Sequence, residues 1–203
     1  FLLIDIAIKS APSKLSKIDM SQLLDLVGNT PLVELSRLNP NPKVKIFGKL
    51  EGNNPGGSVK DRAAKHMIEG AIARGELKAG MKLIEATSGN TGIALAMIAR
   101  LYDIEIELAM PSNSTRERVL TMEAFGAKVT LTETIESARD YAVEKAASGE
   151  FFMLNQFENP DNYLAHYKTT GPEIYRDTKG TVTHFVSSMG TTGTIMGTSM
   201  YLK

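Results

Sequence analysis

Short apolar runs of strand length alternate along this chain with longer stretches of helical periodicity, and the joints between them are polar and glycine-bearing. That alternation constrains the fold more than any other feature. Parallel strands need long crossovers, and helices of roughly 10–15 residues supply them. The apolar runs are Leu83-Ile84 and residues 104–110, 129–131, 151–154 and 182–187; one further strand is read where Val44, Ile46 and Gly48 alternate with Lys43, Lys45 and Phe47. Between them, Ser58 with Asp61 and Ser114 with Glu117 have the spacing of capping boxes. Ala64, Met67, Ile68, Ala71 and Ile72 mark the apolar face of one helix, and residues 91–101 are apolar nearly all round, as in a helix buried on most sides. Two more helices follow: Val119, Leu120, Met122 and Phe125 ahead of Gly126, and Ile135, Ala138, Tyr141, Ala142 and Lys145 ahead of Gly149. The expectation is an α/β fold of three layers, an open and mostly parallel sheet with helices on both faces. Residues 21–27 read as a short helix ended by Gly28-Asn29, and residues 1–20 as an N-terminal arm. The last helical pattern is still running at Lys203, so a C-terminal part is expected to be missing.

Composition narrows the function. Lys plus Arg and Asp plus Glu are both 23, which excludes a mainly electrostatic grip on nucleic acid, and the absence of Trp leaves little for base stacking. With no Cys there is no disulfide, thiolate nucleophile or Cys-based metal site. His66, His166 and His184 lack metal-ligand spacing; they read as satisfied core or surface residues, and no metal is expected. Residues 181–202 contain no Asp, Glu, Lys or Arg, but their Thr, Ser, Gly and His184 are wrong for a membrane span. The apolar start is broken by Asp5 and has no basic region before it, so it is a weak signal peptide.

Chemistry gathers at three strand-to-helix joints, where open α/β sheets bind ligands. The first, Gly52-Asn53-Asn54-Pro55-Gly56-Gly57-Ser58-Val59-Lys60-Asp61-Arg62, sets Lys60 in a first helical turn. The helix dipole disfavours a cation there and lowers the pKa of an amine, as a Schiff-base lysine requires; a solvated lysine offset by Asp61 fits the spacing equally. The second, Thr87-Ser88-Gly89-Asn90-Thr91-Gly92, follows the 83–86 strand and suits a carboxylate or phosphate, or serves as an ordinary cap at Asn90. The third, Gly190-Thr191-Thr192-Gly193-Thr194, has the donors of a phosphate cup, or is a plain glycine-rich turn, and has neither the Lys-Ser or Lys-Thr pair of a nucleotide loop nor the dinucleotide fingerprint. Gln156, after the 151–154 run, can aim an amide into the same cleft or be a plain loop residue.

These joints in this order resemble the β-family, or fold type II, of pyridoxal-phosphate enzymes, with the tryptophan-synthase-β-like fold, and within it the cysteine synthases, most of all those of the B type. The resemblance starts at Val27-Gly28-Asn29-Thr30-Pro31-Leu32-Val33 and runs to the end; Glu51-Gly52-Asn53-Asn54-Pro55, Glu85-Ala86 and Ser188-Met189-Gly190-Thr191-Thr192 are the B-like marks. It implies a cytoplasmic homodimer using pyridoxal 5′-phosphate for β-replacement on O-acetylserine, or O-phosphoserine, with sulfide or thiosulfate as sulfur donor. Lys60 is then the coenzyme anchor and catalytic base. Asn90 bonds the ring oxygen, while Gly190, Thr191, Thr192, Gly193 and Thr194 hold the phosphate. Thr87, Ser88, Thr91 and Gln156 take the amino-acid carboxylate. The resemblance further implies a larger coenzyme-binding domain from residues 21–94 and 154–203, and a smaller mobile domain over 95–153. Relatives continue past residue 203 and supply a partner for the ring nitrogen. Cystathionine β-synthase or threonine dehydratase-like chemistry, or a catalytically incomplete fragment, are the rival readings.

Overall fold

The computed structural model describes residues 21–203; the arm read over residues 1–20 lies outside the described residues. Helix α1 (Ser21–Asp25) ends in a turn where Gly28 and Asn29 adopt φ of +93° and +47°. Strand β1 (Leu32–Glu34) pairs antiparallel with β2 (Phe47–Lys49). The strand expected from Val44 is therefore shorter and later: Val44 and Ile46 are exposed, and Phe47, Gly48 and Lys49 are the residues that pair with β1.

Next come α2 (Lys60–Ala73), β3 (Lys82–Ala86), α3 (Asn90–Leu101), β4 (Ile106–Pro111), α4 (Arg116–Ala124), β5 (Lys128–Thr132), α5 (Ile135–Ala147) and β6 (Phe151–Met153). The four strands form one sheet in the order β5-β4-β3-β6, every pair parallel, with Leu83 opposite Ile106, Glu107 opposite Lys128 and Lys82 opposite Phe151. Period-two alternation divides the core between the two faces. Leu83, Leu108 and Met110 pack with Met67, Ile68, Leu95, Ile98 and Met122 of α2, α3 and α4, all fully buried. Ile84, Ala86 and Ala109 meet Ala138 and Ala142 of α5 on the other face. At roughly 1.5–3 kcal/mol per large apolar side chain, the first cluster dominates the stability. The all-round apolar pattern of residues 91–101 has its cause here: α3 is covered by the sheet, α2 and α4.

Neither capping box read from sequence forms. The residue before α2 is Val59; Ser58 Oγ accepts from the Lys60 N–H at 3.2 Å, and Asp61 turns back to the Gly56 N–H. Before α4 the cap is Thr115, with no side-chain bond. The box that does form is Thr134 with Ser137 at the start of α5, hidden from the sequence pattern because its reciprocal acceptor is a serine.

Beyond the sheet, α6 (Pro160–Ala165), a π-helical turn (His166–Thr170) and α7 (Gly171–Asp177) run on without a break, and α8 (Gly193–Leu202) packs against all three. The strand expected over 182–187 is absent. Residues 182–187 enter no ladder of the described strands, and Val186 is 91% exposed. Among the described residues no helix is long and apolar enough to cross a membrane.

Candidate active site

Two cavities meet beyond the carboxyl end of β3. One, of about 480 Å³, is lined by Lys60, Thr87, Ser88, Asn90, Thr91, Gln156, Gly190 and Thr191. The other, of about 520 Å³, is lined by Lys60 and by Gly190, Thr191, Thr192, Gly193 and Thr194. Lys60, Gly190 and Thr191 belong to both walls, so all eleven residues singled out from the sequence border one continuous region.

Lys60 opens α2 and is half-buried, with no ion pair among the described residues. Burial holds its pKa below the ordinary lysine value, the direction expected from the sequence. Asp61 does not offset it. Its Oδ2 accepts from the Gly56 N–H at 2.5 Å, its Oδ1 is buried without a described partner, and burial pushes the carboxyl up to about 6.

The second joint is shaped by close packing. The Thr87 N–H continues the ladder to the Ala109 carbonyl at 2.9 Å. A Cβ on Gly92 would lie 2.6 Å from Thr87 Cγ2 and 2.7 Å from Met122 Cε, so only glycine lets α3 start so near the sheet. Asn90 is the first residue of α3 rather than its cap; Gly89 precedes it, and the exposed Asn90 side chain is left to the cavity. Arg118 Nη1 fixes the loop from α4 by donating to the Ser88 carbonyl at 2.9 Å.

Gln156 is more than a loop amide. Thr91 Oγ1 donates to its Oε1 at 2.9 Å, and its Nε2 donates to the Ala86 carbonyl at 3.3 Å. Glu85, which no sequence reading marked as a site residue, holds the same segment: its carboxylate accepts from the N–H groups of Asn155 at 2.9 Å and Gln156 at 3.3 Å. Burial pushes Glu85 up to about 7, although both N–H donors oppose the shift.

In the third joint Thr192 takes φ of +63° at the N-terminus of α8, a left-handed turn that a β-branched residue adopts only when its surroundings hold it there. Those surroundings are α6 and the π-helical turn. Asn162 Nδ2 donates to Thr191 Oγ1 at 2.9 Å, His166 Nε2 lies 3.2 Å from Thr194 Oγ1, and Gly193 packs so tightly that a Cβ there would collide with Asn162 Oδ1. Asn162 and His166 were also missed; their i, i+4 spacing after Pro160 was the available signal.

Two helix N-termini, those of α3 and α8, and their hydroxyls thus face the region around one amine of lowered basicity, a donor set for an anionic carbonyl compound. Among the described residues no three His, Asp or Glu side chains converge to hold a metal. Comparison with known proteins converges on the same reading. The chain is 58% identical over 187 residues to cysteine synthase B of Salmonella typhimurium, covering 91% of this chain and 62% of that protein. It is 52% identical over 162 residues to cysteine synthase B of Pseudomonas syringae pv. syringae, covering 78% of this chain and 96% of that sequence. A crystal structure of cysteine synthase (OASS) from Entamoeba histolytica superposes with a TM-score of 0.85 at 40% identity, covering 98% of this chain and 60% of that one. The chain thus spans 62% of the length of the Salmonella protein. Residues 23–203 match the family described as pyridoxal-phosphate dependent enzyme, and the chain belongs to that family, in its cysteine synthase branch.

Proposed function

We propose that this chain provides the coenzyme and amino-acid sites of an enzyme that replaces the β-substituent of O-acetylserine by sulfide or thiosulfate, giving cysteine or S-sulfocysteine. The observation that carries it is the position of Lys60, half-buried on the wall that joins the 87–91 loop to the glycine-threonine turn.

The residues fit pyridoxal 5′-phosphate. A Cβ at Gly190 would meet nothing within 4 Å, so the turn is open towards the cavities it lines, and its donors are N–H and O–H groups without a competing carboxylate in the turn. Lys60 would anchor the aldehyde carbon, Asn90 the ring oxygen, and residues 190–194 the phosphate. When bound, the coenzyme supplies the electron sink that makes the substrate Cα proton acidic.

The remaining steps belong to the protein. Thr87, Ser88, Thr91 and Gln156 offer hydroxyl, backbone and amide donors to the substrate carboxylate. Gln156 and Thr91 already bond each other, so a carboxylate there exchanges one internal bond for charge-assisted ones. Lys60 Nζ takes the Cα proton and later returns it. Its lowered pKa enlarges the neutral fraction able to act as base, and its tether keeps it within reach throughout. A smaller body, with residues 95–153 as its bulk, closes over the site and excludes water. We place the working enzyme in the cytoplasm as a homodimer.

Lys60→Ala tests the assignment. Purified protein should lose its visible coenzyme absorbance and at least about 10³-fold in β-replacement rate, as expected when an anchor that is also the general base is removed. Near-normal turnover would refute it. Product analysis with O-acetylserine plus sulfide, thiosulfate or homocysteine decides the donor; a homocysteine product alone would move the enzyme to the cystathionine-forming class.

A further inference from the structure

The threonine hydroxyls of the third joint do not stand free; two of them end in side chains from α6 and the π-helical turn. Asn162 and His166 are 5% and 1% exposed and sit one helical turn apart. Asn162 Nδ2 donates at 2.7 Å to the Gln156 carbonyl, which can only accept. That bond fixes which amide atom is the nitrogen, so the 2.9 Å bond to Thr191 must run from Nδ2 into Oγ1. Thr191 therefore keeps its own proton for another acceptor.

His166 allows the same deduction. Burial holds its pKa down at about 3, so the ring is neutral and carries one N–H. Nδ1 lies 2.9 Å from Thr170 Oγ1 and Nε2 lies 3.2 Å from Thr194 Oγ1. Thr170 is 2% exposed, and its hydroxyl has no other described side-chain or backbone partner. If Nδ1 carried the proton, the Thr170 O–H would have no protein acceptor among the described residues. The satisfied arrangement runs one way: the Thr170 O–H donates to Nδ1, and Nε2–H donates to Thr194 Oγ1. Thr194, like Thr191, is left with its proton unspent.

Resting on the phosphate-cup reading above, we propose that Asn162 and His166 are positioning residues that set the polarity of the cup: each fills a lone pair of one threonine oxygen, so that both hydroxyl protons are presented to a bound phosphate. They touch neither coenzyme nor substrate. Asn162 also joins the cup to the Gln156 segment, so the phosphate and carboxylate sites share one amide.

The tautomer is testable without any substitution. Nitrogen-15 spectra of the imidazoles in the purified protein should show His166 protonated at Nε2 and bare at Nδ1; a proton on Nδ1 overturns the proposal. For the cup, apoprotein is titrated with pyridoxal 5′-phosphate and with pyridoxal, which lacks the phosphate. Asn162→Asp keeps the shape but replaces the donor by an acceptor, and should weaken the phosphorylated ligand at least about tenfold while leaving pyridoxal within about threefold, since a lost charge-assisted bond acts on the phosphate alone. His166→Gln retains a donor near the Nε2 position and should stay within about threefold of the parent for both ligands, whereas His166→Asn should resemble Asn162→Asp. Equal losses for the two ligands, or His166→Gln as weak as His166→Asn, would overturn the proposal. Failure of the coenzyme reading itself looks different: the parent apoprotein would bind neither ligand.

Discussion

At the scale of single residues, two buried ionisable side chains beside the site pull stability in opposite directions with pH. Burial raises Glu85 from 4.5 to about 7, so the folded state holds this proton more tightly than the unfolded chain. Its contribution is complete below pH 4.5 and is lost as pH rises through about 7, a difference of about 3 kcal/mol. Asp61, raised to about 6, adds to the same limb. His166 runs the other way. Its pKa falls from 6.5 to about 3, so the unfolded chain takes up a proton first and folding weakens as pH drops below 6.5. The two windows overlap between pH 4.5 and 6.5, where the rise from His166 offsets the fall from Glu85. Urea unfolding measured in steps from about pH 4 to 8 therefore separates them only in variants. Glu85→Gln should remove a fall of about 3 kcal/mol between pH 4.5 and 7, and His166→Gln a rise of about 3 kcal/mol between pH 4 and 6.5. If both variants keep the parent's curve, these groups are not titrating as buried residues.

At the scale of elements, α8 comes close enough to α6 that backbone meets backbone. A Cβ on Gly197 would run into the Tyr163 carbonyl and approach His166 Cβ at 2.9 Å, so Gly197→Ala should cost about 1–3 kcal/mol and loosen the cup through Thr194 and His166. Thermal unfolding and coenzyme affinity should fall together; an unchanged affinity in a destabilised variant would separate α8 docking from the site. Elements were also where the sequence was easiest to read. The apolar runs at 83–84, 104–110, 129–131 and 151–154 are the four strands of the sheet, and the all-round apolar stretch is the buried α3, because burial on two faces leaves a direct mark on composition. The run at 182–187 left the same mark without a ladder, since periodicity reports a segment's suitability for pairing and says nothing of a partner. Caps failed for a related reason: Ser58 and Asp61 have the right spacing, yet Asp61 accepts from the Gly56 N–H instead. In the candidate site, Lys60 and the glycine-bearing joints were legible because each joint is a contiguous run of the chain. Asn162 and His166 become partners of Thr191 and Thr194 only once α8 folds back across some 28 residues.

At the scale of the molecule, one guanidinium ties three distant segments to the start of the Lys60 helix. Arg62, 1% exposed, donates to Glu51 at 2.7 and 2.8 Å, to Glu173 at 2.6 and 2.8 Å, and to Thr30 Oγ1 at 3.1 Å. Burial alone would raise Glu173, but Arg62 and Lys49 hold it at about 2. Arg62→Met leaves the Glu51 carboxylate without its cation and Glu173 with Lys49 alone, and should cost about 3–5 kcal/mol, measured by urea unfolding at neutral pH. A loss below about 1 kcal/mol would mean the network is solvated, as surface pairs are. Glu173 reaches Arg62 from α7, whereas Asn162 and His166 reach the cup from the turns before it, and the wide turn at His166–Thr170 separates the two tasks. A helix with i→i+5 bonds holds one residue more than its neighbours, taken up locally as a bulge. Delete Lys168, solvent-facing and without a charge partner among the described residues, and the turn can close to ordinary i→i+4 bonds while α6 and α7 keep their phase. Glu173 can then still meet Arg62, and the cup can keep its braces. In this stretch a single codon lost in frame should cost less than the same loss in the plain helix on either side, where everything beyond it would turn by about 100°.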